Sequence, residues 1–203
     1  MADQKGLGKR VTLISFLSSL KFKHKINGPF LVITKPQKLA HWKYLLDKWT
    51  ELRTLVYHDA DRERGMENLR RWAIYHLDVT VKGRITARNQ LQKFDVLLTT
   101  VEHVNNESDP LIRKFPFMQV IIDHAEIEAH RLASTKIACK RIICSTSNPM
   151  PNQVEDLADL VKVVDPMTIE RLKNPERVFS KIGSLSQLQN ISGIMSPFGL
   201  KNF

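Results

Sequence analysis

Two cysteines in 203 residues, Cys139 and Cys144, leave this chain without the material for a disulfide framework. They are not spaced as a C-x-x-C pair, so they make neither a redox motif nor a thiolate metal site, and buried reduced thiols are expected. No window approaches the ~20 apolar residues of a membrane-spanning helix. The N-terminus is polar and charged and lacks the apolar segment of a secretory signal. Together these absences predict a soluble protein of a reducing compartment, cytosolic or nuclear. Acidic residues are also in deficit: 21 Asp and Glu face 31 Lys and Arg, a net charge of +10 at pH 7 and a pI near 9.7. Such a field favours polyanions, either nucleic acid or an acidic protein tail, with a merely solvated basic surface as the competing reading. With 42% hydrophobic and 26% charged residues the composition is that of a globular chain with one substantial core.

What is present begins at the N-terminus. Asp3-Gln4-Lys5-Gly6-Leu7-Gly8-Lys9-Arg10 precedes the apolar run Val11-Thr12-Leu13-Ile14-Ser15-Phe16-Leu17 and reads as a phosphate loop opening a helix. Glycines let backbone N–H groups close around phosphate oxygens, the helix N-terminus adds its positive end, and a lysine reaches the terminal phosphates. One part of the P-loop pattern G-x-x-x-x-G-K-[ST] is missing. The hydroxyl that would hold Mg²⁺ is replaced by Arg10, and the first glycine position falls at Ala2 and Asp3.

Downstream, the periodicity alternates between helix and strand. Val11, Ile14, Leu17 and Leu20 repeat at helical spacing, and Asn27-Gly28-Pro29 ends that segment. Phe30-Leu31-Val32-Ile33 is a short apolar run of the kind buried on both faces of a parallel sheet. Leu39, Trp42, Leu45, Leu46 and Trp49 mark a second amphipathic helix, Leu52 to Tyr57 a strand, and Met66, Leu69, Trp72, Ala73 and Leu77 a third helix. Asp78 to Gln92 reads as a polar insertion or hairpin. Further strands are expected at Asp95–Leu98, Met118–Ile122 and Arg141–Cys144, with a helical stretch from Gln153 to Val163. Strands alternating with helices imply an α/β fold, a three-layer parallel sheet with right-handed crossovers. Its ligands sit beyond the carboxyl ends of the strands, at the loops Lys35–Lys38, Thr99–Glu102, Asp123–Glu126 and Ser145–Pro149. From Leu172 onward Ser, Gly and Asn rise and the pattern weakens.

These loops, in this order, resemble the first RecA-like, helicase ATP-binding lobe of the Swi/Snf family of chromatin-remodelling ATPases, nearest to the chromodomain-helicase type. The N-terminal glycine loop resembles D-E-M-G-L-G-K-T. Gly28-Pro29-Phe30-Leu31-Val32-Ile33 followed by Leu39-Ala40-His41-Trp42 resembles G-P-F-L-I-V and L-x-N-W. Lys93-Phe94-Asp95-Val96-Leu97-Leu98-Thr99-Thr100-Val101-Glu102 is nearly letter for letter K-F-D-V-L-L-T-T-Y-E. Val120-Ile121-Ile122-Asp123-His124-Ala125-Glu126 falls on V-I-V-D-E-A-H, and Thr146-Ser147-Asn148-Pro149 on T-G-T-P. Ile194 to Asn202 resembles the I-L-K-P-F-M-L-R-R that leads toward a second lobe.

The resemblance implies a RecA-like lobe over residues 1–170, with its N-terminal strand missing, and a helical or partly ordered tail over 171–203 leading toward an absent second lobe. It implies ATP with Mg²⁺ as ligands, held by Gly6, Gly8, Lys9 and Arg10, with Asp123 as the metal ligand. It also implies DNA-backbone contacts from Lys35, Gln37, Lys38, Thr99 and Thr100, groups that read no sequence. Nuclear residence, a nucleosomal DNA partner and a second ATPase lobe or remodeller subunit follow from the same likeness. The departures fall on catalytic positions. Motif II needs an Asp for the metal and a Glu to position the attacking water; here Asp123 is kept, the Glu position is His124, and Glu126 stands two residues on. The function implied is a degenerate remodeller lobe with residual ATP and DNA-backbone binding and little hydrolysis alone. A DNA-dependent ATPase half using Glu126 and completed by a partner lobe, and a decayed duplicate without activity, are the alternatives.

Three further patterns have a sharper and a blander reading. His124, Glu126, Glu128 and His130 alternate, so an extended segment would place all four on one face as zinc ligands; drift from D-E-A-H explains them better. Trp42, Trp49 and Trp72 stand at helical spacing among aliphatic residues and are expected in the core. His58-Asp59-Ala60-Asp61 reads as a strand-to-helix loop, not a carboxylate site.

Overall fold

A computed structural model describes residues 7–58, 94–105, 112, 115–133, 135, 137–147 and 154–165. The expected third helix and polar insertion, Gly6, Asn148-Pro149 and the tail over 171–203 lie outside the described residues. In chain order the elements are α1 (Lys9–Phe22), β1 (Phe30–Ile33), α2 (Pro36–Trp49), β2 (Thr54–Tyr57), β3 (Val96–Thr99), α3 (Val101–Asn105), β4 (Gln119–Asp123), α4 (Ala125–Leu132), β5 (Ile142–Ser145) and α5 (Val154–Val164). The strands form a five-stranded parallel sheet in the order β2-β3-β1-β4-β5. Non-consecutive neighbours in that order require crossover connections, the mark of βαβ construction. Two compact units are distinguished, Arg10–Val120 with Ile137–Arg141, and Met1–Lys9 with Ile121–Lys136 and Ile142–Phe203.

Within the unit that starts at Arg10, β1 is apolar and buried throughout, as a central strand covered on both faces must be. Phe30 pairs with Val96 and Ile33 with Thr99 on one side of β3, and Thr54 with Val96 and Tyr57 with Thr99 on the other. Leu13, Ile14 and Leu17 of α1 and Leu39, Trp42 and Leu46 of α2 are buried, each set repeating at i, i+3/i+4 along one helical face. Pro36 at the start of α2 fits the first helical turn, where its missing N–H is no loss. Phe115 joins Phe94 and Phe117, with ring centroids 5.9 and 5.3 Å apart.

Asp95 locks this unit at the entrance to β3. Its carboxylate accepts from the Arg53 backbone N–H at 2.9 Å, from Arg53 Nε at 3.2 Å and Nη2 at 3.1 Å, and from Lys21 Nζ at the end of α1. One buried anion therefore fastens the last turn of α1, the approach to β2 and the start of β3. Burial alone would raise this carboxyl, but the hydrogen bonds from Arg53 and Lys21 outweigh it and hold the group below its ordinary range. The Asp95 carbonyl in turn accepts from Phe30 N at 2.8 Å, setting the register of β1. Asp95 thus has a structural reason of its own.

Within the unit holding the end of β4, α4 packs on α5 and α5 on β5. His130 Nδ1 lies 2.7 Å from Asp159 Oδ2 across the helix pair.

One expectation is corrected here. Trp42 is fully buried, but Trp49 is 58% exposed, because it ends α2 where the apolar face has already run past the sheet. His124 to His130 is not extended: α4 starts at Ala125, and at about 100° per residue its alternating side chains diverge around the axis. Among the described residues no group of three or more His, Cys, Asp or Glu could hold a metal ion.

Candidate nucleotide and nucleic-acid sites

The chain enters α1 through Gly8, at φ +71°, a conformation that costs glycine little and other residues more. A Cβ built on Gly8 would meet nothing within 4 Å, so the space beside the loop is open. Lys9 and Arg10, both half-buried, are the first residues of α1, and that first turn contains no acid. Two cations at the positive end of a helix dipole are an unfavourable choice for the isolated helix, and an anion bound there offsets both.

Asp123 closes β4 and is 5% exposed. His124 follows at φ 58°, ψ 45°, a left-handed conformation uncommon for a non-glycine residue, and serves as the N-cap of α4 without a side-chain capping bond. Its carbonyl accepts from Ile127 N at 3.0 Å and Glu128 N at 3.2 Å. The turn brings His124 Nδ1 to 3.4 Å from Glu126 Oε1. Among the described residues Glu126 Oε2 is buried without a hydrogen-bond partner, as is Ser145 Oγ at the end of β5. Orphaned oxygens of this kind are uncommon in folded chains.

These residues fit the two parts of a magnesium nucleotide unequally. A left-handed glycine, a lysine and an arginine at the start of a helix suit phosphate. Mg²⁺ requires oxygen ligands; Asp123 supplies a carboxylate, while the guanidinium of Arg10 cannot coordinate a cation.

The residues expected on DNA lie in the other unit. Lys35 is the N-cap of α2, at φ −67°, ψ 148°, and makes no side-chain capping bond; its carbonyl accepts from Lys38 N at 2.9 Å. Gln37 and Lys38 are exposed on the first turn of that helix, which carries no acid. Thr99 and Thr100 differ: both are at 0% exposure. Thr99 Oγ1 donates to the Tyr57 carbonyl at 2.9 Å, tying β3 to β2, and Thr100 Oγ1 lies 3.0 Å from His103 Nδ1.

The structure adds residues that the sequence reading passed over. His103 stacks edge-on with Tyr57 and His58, at centroid distances of 5.2 and 5.1 Å, beside Thr100. Its only sequence signal is its place three residues after Thr100. On α2, Tyr44 and Trp49 are exposed around Lys48. The signal there was a tryptophan in the last helical position, beyond the reach of the core.

Comparison with known proteins agrees with the fold and identifies the family. The family described as "SNF2-related domain" matches residues 1–202. Chromodomain-helicase-DNA-binding protein 8 of Homo sapiens is 30% identical over 212 residues, covering 99% of this chain and 8% of that protein. Chromodomain-helicase-DNA-binding protein 7 of Homo sapiens is likewise 30% identical over 212 residues, covering 99% of this chain and 7% of its own length. The chain therefore spans less than a tenth of the curated relatives it matches. Among solved structures, the Sulfolobus solfataricus SWI2/SNF2 ATPase core in complex with dsDNA superimposes with a TM-score of 0.69 at 23% identity, over 97% of this chain and 38% of that one.

Proposed function

The chain belongs to the SNF2-related domain family, and from that premise we propose that it is a degenerate remodeller ATPase lobe. It binds ATP phosphates and the DNA backbone, hydrolyses little by itself, and acts in the nucleus as a binding or regulatory module on nucleosomal DNA. The observation that carries this reading is the entry into α1. A left-handed Gly8 opens onto Lys9 and Arg10 with no acid in the turn, a set suited to phosphate and short of the hydroxyl that would bring Mg²⁺. Gly6 belongs to the same loop by sequence. When bound, Mg²⁺ would neutralise charge between the phosphates, and Asp123 is the residue to hold it.

On the DNA side, Lys35, Gln37 and Lys38 surround the uncapped start of α2 and supply side-chain and amide donors to backbone phosphates. Thr99 and Thr100 support that edge of the sheet from within, since both hydroxyls already have protein partners. A companion ATPase lobe or remodeller subunit completes the assembly.

One observation favours the second reading, a working ATPase half. Among the described residues Glu126 keeps a buried Oε2 with no partner, and a carboxylate in that state can orient a water.

Titration with a fluorescent ATP analogue, with and without Mg²⁺, tests the site. Binding is expected in both conditions, with a loss of about tenfold or more in Lys9→Ala, since a charge-assisted bond contributes ~1.5–3 kcal/mol. Duplex DNA binding is expected to weaken steeply with salt. DNA-stimulated turnover that disappears in Glu126→Gln would replace the first reading with the second.

A further inference from the structure

The C-terminal half of α2 carries a surface that neither the nucleotide site nor the DNA-facing loop uses. Tyr44 and Trp49 are 57% and 58% exposed, an unusual state for two large rings five residues apart on one helix. Lys48 lies between them, its Nζ 5.5 Å from the Tyr44 centroid and 6.0 Å from the Trp49 centroid, both within cation–π range. Together the rings leave on the order of 200–300 Å² of aromatic surface to water. They are anchored by a rigid element, because Trp42 and Leu46 of the same helix are fully buried. Aromatic residues displayed on a rigid helix around a fixed charge are the usual anchors of a protein interface.

We propose that the Tyr44–Lys48–Trp49 face of α2 is a docking site for an acidic peptide segment bearing aromatic or aliphatic side chains.

Charge selects the occupant. Lys43 is paired with Asp47 one turn away, so those two charges cancel locally. Lys48 has only ring faces beside it among the described residues, and His41 and Lys38 continue the exposed stripe toward the start of the helix. Among the described residues Glu51, just past the helix, is the remaining exposed acid nearby and leaves the face net basic. A carboxylate can approach the Lys48 ammonium from solvent while its neighbours cover the ring edges, and the cation–π contacts survive. A nucleobase would have to stack on ring faces that Lys48 already covers, displacing that cation; this disfavours single-stranded nucleic acid at the same place.

Panning a phage-displayed 12-residue peptide library against the full chain tests the site. Enriched sequences are expected to combine Asp or Glu with aromatic or aliphatic residues. By fluorescence anisotropy their affinity should fall about fivefold or more in Tyr44→Ala, Trp49→Ala and Lys48→Glu, with melting temperature unchanged for each exposed position. Absence of enrichment overturns the proposal, and so does enrichment of neutral or basic peptides. Selected peptides that bind all three variants equally, or an oligothymidine 12-mer that competes for the same residues, overturn it as well. Nucleotide binding is read separately on the same variants, so loss of the docking site and loss of the phosphate site are told apart.

Discussion

Arg53 closes a two-point fork on Asp95, with Nε 3.2 Å from Oδ2 and Nη2 3.1 Å from Oδ1, while its own backbone N–H donates to Oδ2 at 2.9 Å. Side chain and main chain of one residue thus hold the same carboxylate, and Lys21 completes its shell. Asp95 is buried, whereas the Arg53 side chain is 54% exposed, so the anion depends on the pair more than the cation does. Asp95→Ala is expected to destabilise the chain by about 2–4 kcal/mol, because it strands the Lys21 ammonium and the Arg53 N–H together. Urea unfolding of the two proteins measures the difference. A loss under 1 kcal/mol would mean that the three elements hold together without this anion.

The same carboxylate sets a pH dependence. Its folded pKa lies below its ordinary value, so the unfolded chain takes up the proton first as pH falls. Its contribution is complete above about pH 4–5 and drains away from there down through the lowered folded value. Stability measured from pH 6 to pH 3 should fall more steeply for the wild type than for Asp95→Asn. Parallel curves would show that other carboxylates govern acid unfolding.

Gly28 tests the approach to β1. It sits at φ +65°, and a Cβ there would lie 3.2 Å from the Asp95 carbonyl oxygen and 3.3 Å from Phe30 N. Both neighbours are backbone, and they are joined by the Phe30-to-Asp95 hydrogen bond, so neither can give way cheaply. Gly28→Ala should cost about 1–3 kcal/mol in the same assay. A neutral result would place the glycine's value in the unfolded chain alone.

The sheet was legible in the sequence to within a residue or two, and for a physical reason. A strand covered on both faces must be apolar throughout, so Phe30–Ile33 announces itself, and the strands starting at Val96 and Gln119 do so nearly as well. Position along a helix was less legible. The spacing of Trp42 and Trp49 is the same seven residues that join two core positions, and only the length of α2 relative to the sheet decides that the second escapes. Hydroxyl direction was not legible at all. Thr99 and Thr100 look like phosphate ligands by type, yet partners distant or local in sequence, Tyr57 and His103, take both hydroxyls. The turn at His124 was hidden for a similar reason, since its left-handed backbone follows from how α4 leaves β4 and not from histidine itself.

The two thiols should react at different rates. Burial pushes Cys144 up to about 12 and raises Cys139 to a smaller extent. Only the thiolate is nucleophilic, so at pH 8 Cys144 holds on the order of one part in 10⁴ in the reactive form. Disulfide-reagent labelling of the native protein should modify Cys139 first, with Cys144 becoming reactive only on unfolding. Equal rates would mean that β5 opens readily, and Cys139→Ser, which leaves one thiol, assigns the slow phase.

Arg10 is where the nucleotide site is most open to a decisive substitution. As a guanidinium it offers several donors to phosphate oxygens and repels a divalent cation; as a threonine it would offer one oxygen to that cation and remove a charge. Those two effects have opposite signs depending on whether Mg²⁺ is present. Without the metal the nucleotide is the more negative ligand, and losing Arg10 removes a partner, so Arg10→Thr should bind the ATP analogue about tenfold more weakly than wild type. With Mg²⁺ the new hydroxyl offers the metal an oxygen, and the variant should recover affinity that the wild type does not gain. The quantity to compare is therefore the ratio of Kd without and with Mg²⁺, which should rise in Arg10→Thr. An unchanged ratio would remove Arg10 from the phosphate site and leave Lys9 as the one basic side chain of the first turn of α1 to hold the nucleotide.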